Sequence, residues 1–94
     1  MPKNDPEKKE KILVGLRKAR SHIDKVTQMV EAGEYCIDVM QQNLAVMGLL
    51  KSVHQLLMES HLNTCFKKAM ATRNGKRKQE MTKEILQVTK LFNK

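Results

Sequence analysis

The sequence has few aromatic residues, and few of the glycines and prolines that interrupt helices. It contains no Trp, one Tyr, two Phe, four Gly and two Pro in 94 residues. A chain this short with so few large side chains has little material for a hydrophobic core of its own. We therefore expect long helices whose burial is completed by association with further copies of the chain.

Signals of several other protein classes are also missing. The sequence has no signal peptide and no apolar run of membrane-spanning length. It has no Gly-rich phosphate loop, nucleophile elbow or nucleophile–base pair, so we expect no enzyme. The expected location is the cytoplasm, where structural disulfides are rare. The two cysteines are therefore interpreted as metal ligands or reactive thiols.

Charge is strongly one-sided. Eighteen Lys and Arg against ten Asp and Glu give a formal net charge of +8, which favours a polyanionic partner, nucleic acid first. The basic residues cluster on the first helix and again over residues 67–78, which contain no acid. For each cluster, the competing interpretation is a solvated helix face. The candidate DNA contacts are Arg17, Lys18, Arg20, Lys51, Arg73, Lys76, Arg77 and Lys78.

Apolar periodicity and helix-boundary residues predict an all-α chain with three helices and no strand. Asp5-Pro6-Glu7 has the composition of a helix start, and Gly33 follows as a C-terminal cap. Asn74-Gly75 marks a second break. The predicted helices span about 6–31, 35–72 and 76–92 in a single domain of residues 1–94, with residues 1–4 disordered.

The long central helix carries apolar residues on two sides. One row is Val39, Val46, Leu50, Val53 and Leu57; the other is Ile37, Met40, Leu44 and Met47. A helix that is apolar on two sides must be covered on two sides. The first helix should pack on it as an antiparallel hairpin, so this helix is predicted to be the centre of a bundle.

Three candidate metal ligands lie on the central helix. His61 and Cys65 are four residues apart, so they share one face of an α-helix. Cys36 precedes His61 by 25 residues, which is about 37 Å along a helix and too far to share a metal ion. Antiparallel pairing of two central helices would unite Cys36 of one chain with the other two ligands of its partner. This predicts an antiparallel dimer with a four-helix-bundle core and two sites, with dimers pairing into a tetramer.

Two thiolates and one imidazole form a soft, low-coordinate ligand set. Such a set suits Cu(I), which tolerates three ligands. Zn(II) would need a fourth ligand, such as water or a carboxylate. In the purely structural interpretation, Cys36 and Cys65 are small buried hydrophobes and His61 is an exposed polar residue. His22 and His54 are interpreted as surface or core residues.

Three segments, residues 35–39 (YCIDV), 42–46 (QNLAV) and 61–65 (HLNTC), resemble the CsoR/RcnR family of bacterial metal-sensing repressors. The similarity runs from about residue 8 to 92 and is strongest to the copper(I)-sensing branch. It implies a repressor that binds operator DNA without metal and leaves it when Cu(I) binds. It also implies that Tyr35 and a glutamate of the last helix, Glu84 or else Glu80, orient the ligands.

The chain departs from the family pattern at four positions, one of which is Ser21 in place of a usual Gly. Gly15 stands where relatives commonly carry an Arg, and Ser52 and Gln55 lie where further arginines help to bind DNA. Either the DNA target differs, or Arg17, Arg20 and Lys51 supply the contacts.

Alternative functions within and outside this family stay open. Met1-Pro2 with Cys36 resembles formaldehyde sensors, and persulfide sensors use two cysteines without the histidine. Nickel and cobalt sensors add a nitrogen ligand near position 4, where this chain has Asn4. Zinc is a further candidate effector. Outside the sensors, the chain could be a cytoplasmic copper buffer that never binds DNA.

Overall fold

The computed structural model describes residues 6–93, which form three helical arms without a strand. The first arm is α1 (Pro6–Glu31). The second is α2 (Cys36–His61), a π-helical segment (Leu62–Phe66) and α3 (Lys67–Met70), which follow one another with right-handed helical backbone at each junction. The third is α4 (Gly75–Phe92). The predicted all-α class with a long central helix is confirmed; the predicted disorder of residues 1–4 lies outside the described residues.

Local capping explains where the helices end. Gly33 has φ +69°, and the amide of Glu34 donates to the carbonyl of Met29 at 3.0 Å, the pattern that closes a helix at a left-handed glycine. At the start of α4, the Asn74 side chain accepts a hydrogen bond from the amide of Arg77 at 3.2 Å. The second arm ends at Met70 and α4 begins at Gly75, against predicted bounds of 72 and 76.

The π-helical segment within the second arm was not predicted. Within it, the Thr64 hydroxyl donates to the carbonyl of Ser60, which lies just ahead of the segment, at 2.6 Å. Such back-bonding competes with the backbone ladder and bends helices. Single π-turns inside α-helices are frequent at functional sites, and this one contains Cys65 and immediately follows His61.

α1 packs against α2 as the predicted hairpin and forms most of the small core. The buried apolar residues are Ile12, Ala19 and Met29 of α1, Val46 and Val53 of α2, and Met81 of α4. The helices approach closely at Gly15, where an added Cβ would lie 2.6 Å from Cγ2 of Val53. The arms form a thin layer, since the chain measures 58 × 29 × 14 Å and one helix is about 10–12 Å across.

Burial within one chain is incomplete. The accessible surface is 7415 Å², against about 5,500 Å² for a compact monomer of this mass. The second apolar row of α2 is uncovered: Ile37, Met40, Leu44 and Met47 are 41–62% exposed. No helix within residues 6–93 is both long and apolar enough to cross a bilayer. The four side chains of this row follow one another along one side of α2, so the uncovered apolar surface is a continuous row rather than scattered single residues.

The Gly15–Val53 contact can be tested with a matched pair of glycine substitutions. Gly15→Ala should lower the free energy of unfolding by about 1–3 kcal/mol, because the new methyl overlaps a stiff β-branched side chain. Gly75→Ala is the control, since an added Cβ there meets nothing within 4 Å. Urea unfolding followed by circular dichroism measures both. Equal stability of the two variants would show that the close approach is not a constraint.

Candidate metal centre

Cys36 lies at the first position of α2, in an open environment. Its side chain is exposed, and the preceding Tyr35 is 66% exposed with extended backbone (φ −55°, ψ 128°). Tyr35 makes no side-chain capping bond to the helix. Both side chains are therefore directed away from the hairpin core, where a second protein surface can reach them.

His61 lies at the other end of α2, in contact with the π-helical segment. It is partly buried, and its ring centroid is 6.2 Å from that of Phe66 with the planes tilted by 53°. A π-turn brings residues i and i+5 together, which accounts for this neighbour. Cys65 is in the same segment; its side chain lies outside the described residues. The backbone between His61 and Cys65 is thus π-helical. The expectation that these two residues share one helix face assumed α-helical geometry, so it does not hold here without adjustment.

One protomer does not unite the candidate ligands that the structure describes. Cys36 and His61 occupy opposite ends of the 26-residue α2, which is about 39 Å long. Among the described side chains, no three His, Cys, Asp or Glu residues are close enough to hold a metal ion. A site containing both Cys36 and His61 therefore requires a second chain.

A cavity of about 310 Å³ opens between α2 and α4 beside His61. Its lining residues are His54, Leu57, Met58, His61, Glu84, Ile85 and Val88. Glu84 thus shares a cavity with His61. Glu80 instead pairs with Arg77 at 3.8 Å on the surface of α4. Of the two glutamates considered from sequence, Glu84 has the placement of a group that could orient the imidazole.

His54 is a polar group in this cavity that the sequence analysis assigned to core or surface. Its ring stacks on Phe92 with centroids 4.3 Å apart and planes 17° from parallel, and Lys51 Nζ lies 5.7 Å from the centroid of Phe92. Nε2 of His54 is buried without a hydrogen-bond partner among the described residues. The seven-residue spacing from His61, two turns along one helix face, is the signal that could have identified it.

The candidate DNA contacts lie in three places. Arg17, Lys18 and Arg20 are exposed on α1, and Arg17 pairs with Glu10 at 3.6 Å. Lys51 lies on α2 over Phe92. The others cover the turn and the start of α4: Arg73, Lys76, Arg77 and the partly buried Lys78. Most of the candidate DNA contacts thus form two separate basic surfaces, one on α1 and one at the start of α4.

Comparison with known proteins assigns the family. Residues 8–93 match the model of the metal-sensitive transcriptional repressor family, and the chain belongs to this family. The resemblance inferred from the sequence is confirmed, and the family is one of transcriptional regulators.

Individual relatives share much of the chain. It is 38% identical over 69 residues to the copper-sensing transcriptional repressor CsoR of Mycobacterium ulcerans, covering 73% of this chain and 59% of that protein. It is 30% identical over 86 residues to CsoR of Bacillus subtilis, covering 92% and 82%. The chain spans about three fifths of the length of the mycobacterial relatives.

A solved structure also matches over the whole chain. The crystal structure of the copper-sensing repressor CsoR with Cu(I) from Geobacillus thermodenitrificans has a TM-score of 0.83 and 33% identity, and the match covers 100% of this chain and 95% of that one. The arrangement of the three arms is therefore that of a known metal-sensing repressor.

Two substitutions of His54 test its structural role in the metal-free protein. His54→Ala removes the ring stack and should lower the free energy of unfolding by about 1–3 kcal/mol. His54→Phe keeps a ring against Phe92 and removes the unpartnered nitrogen, so it should match or exceed wild-type stability. Thermal unfolding compares them. If His54→Phe is as unstable as His54→Ala, the nitrogen has a partner in solution.

Proposed function

We propose that this protein is a copper(I)-responsive transcriptional repressor that binds operator DNA without metal and is released when Cu(I) binds. The observation that carries the proposal is the position of Cys36 and His61 at opposite ends of one unbroken helix whose outer apolar face is uncovered. A relative with this fold is a copper-sensing repressor described with Cu(I). The proposed setting is the cytoplasm.

The proposed assembly is an antiparallel dimer formed through the outer face of α2. The apolar contact is supplied by Ile37, Met40, Leu44 and Met47. The resulting four-helix core buries these side chains, which are exposed in a single chain. Two-fold symmetry places Cys36 of each protomer beside His61 and Cys65 of its partner, giving two equivalent sites. Pairing of two dimers gives the proposed tetramer.

The proposed ligands fit Cu(I) by their chemistry. Cys36 and Cys65 supply soft thiolates and His61 an imidazole nitrogen, a combination that favours Cu(I) over hard cations. Cys36 of one protomer with His61 and Cys65 of its partner would hold the ion, which would supply a link between the two chains. Glu84 is proposed to hold the His61 ring from within their shared cavity, and Tyr35 to position Cys36. Glu80 is less suited, because it is paired with Arg77 at the surface.

DNA binding is proposed to use the basic surfaces of α1 and of the start of α4. These contacts are to backbone phosphates and supply affinity that falls steeply with salt. Metal and DNA favour different arrangements of the same helices, so each weakens binding of the other by the same factor. A coupling of about 1–3 kcal/mol corresponds to a change of about 5–150-fold.

Copper titration of a reduced sample, combined with DNA binding, tests this proposal. The apo protein is first used to select duplexes from a randomised pool. Cu(I) should then weaken binding to the selected duplex by about 5–150-fold, as measured by fluorescence anisotropy.

Cys36→Ala should lose tight Cu(I) binding and the copper response while keeping apo DNA affinity, because Cys36 is exposed and outside the core. Gln41→Ala is a matched control at an exposed position of the same helix. Release by Zn(II), aldehyde or persulfide but not Cu(I) would identify another sensor of the family. Copper binding without any selected DNA would indicate a buffer.

A further inference from the structure

The two flanks of α1 beside its buried face differ in chemistry. One flank carries Leu16, Ile23 and Val30, which are 39%, 44% and 61% exposed. The other flank borders an open groove of about 640 Å³ between α1 and α2. The groove is lined by Val14, Arg17, Lys18, Ser21, His22, Lys25 and Leu49. The first flank suits contact with protein, whereas the second is strongly basic.

The polar lining of the groove is a linear array on one helix. Arg17, Lys18 and Lys25 are cations, and the lining includes no acidic residue. From Arg17 to Lys25 the array extends about 12 Å along the axis of α1. The ion pair of Arg17 with Glu10, 3.6 Å long, has both side chains about 60% exposed, and such pairs contribute little. Arg17 can therefore exchange Glu10 for a stronger anion.

His22 lies in the lining of this groove and is hydrogen-bonded to the opposite helix. Its Nε2 donates to Oε1 of Gln42 at 2.8 Å, across 20 residues of sequence, and the bond is partly buried. Because the amide oxygen is an acceptor, Nε2 carries the hydrogen and Nδ1 is the ring's second polar atom. Ser21 adds a hydroxyl beside it. Two short polar groups thus lie between cations, as in a surface that binds oxyanions.

We propose that this groove binds the phosphates of one DNA strand, with Ser21, His22 and Lys25 joining Arg17 and Lys18. The inference rests on the proposed function as a DNA-binding protein and locates its backbone contact. An array about 12 Å long can follow several phosphates, which recur about every 3.4 Å along one strand. A second copy of the chain is the poorer occupant of this groove, because the three cations of its lining need acidic partners and the chain has only ten Asp and Glu against eighteen Lys and Arg.

Lys25→Gln tests the groove, with Lys90→Gln as the matched control. Both lysines are exposed, and Lys90 lies on α4 away from the groove lining. Affinity for a short duplex of random sequence is measured between about 50 and 200 mM salt. Lys25→Gln should reduce the slope of log affinity against log salt by about 0.9, the loss of one phosphate contact, and Lys90→Gln should leave it unchanged. Equal slopes for the two variants would overturn the proposal.

Two further readouts identify the occupant. The imidazole NMR signals of His22 should shift with the duplex and not with inorganic phosphate at comparable phosphate concentration. Saturation by inorganic phosphate alone would mean a site for a free oxyanion, and a changed oligomeric mass of Lys25→Gln in sedimentation would mean a contact between copies; either overturns the proposal. If Cu(I) does not release the selected duplex from the wild-type protein, the proposed function is refuted. The salt slopes measured with the random duplex do not depend on that result, so they still test whether the groove binds phosphates.

Discussion

The rigidity of one long helix is the constraint on which the rest of this structure depends. α2 keeps Cys36 and His61 apart by nearly its whole length and presents four large apolar side chains on the side away from α1. Neither feature can be corrected by side-chain movement within one chain. The proposed antiparallel dimer would resolve both the separated ligands and the exposed apolar side chains. The contact that covers the apolar face also brings each Cys36 to a partner's His61. Metal binding and assembly are then consequences of the same geometry.

The close packing of α1 on α2 determines which surfaces are left for DNA. Gly15 is in contact range of Val53, so a larger residue at this position would have to push the hairpin apart. The basic residues that remain on α1 include those of the groove anchored by the His22–Gln42 bond. In the proposed function, phosphate contacts follow this flank, while the apolar flank of α1 is left for protein.

Much of the fold followed from local sequence signals, whereas the site required tertiary information. The α1–α2 turn was predictable because Gly33 alone can adopt its left-handed backbone cheaply, and the central helix because its apolar rows repeat at helical spacing. The π-segment was not, because the same threonine bond to the carbonyl four residues earlier occurs at Thr64 within the π-segment and at Thr27 within a regular α-helix, so the local sequence does not signal it. The role of His54 depends on α4 bringing Phe92 to it across 38 residues of sequence. For the same reason, the cavity shared by Glu84 and His61 is visible only in the structure.

The most direct measurement mixes two inactive variants, Cys36→Ala and the double variant His61→Ala/Cys65→Ala. In an antiparallel mixed dimer, one site loses all its ligands and the other keeps every ligand, because Cys36 comes from one chain and the remaining two from the other. Cu(I) binding, followed by absorption under reducing conditions after unfolding and refolding the mixture, should be absent in each variant and reappear in the mixture. If the mixture binds no more Cu(I) than its components, or if either variant binds Cu(I) tightly alone, the two chains do not share the site.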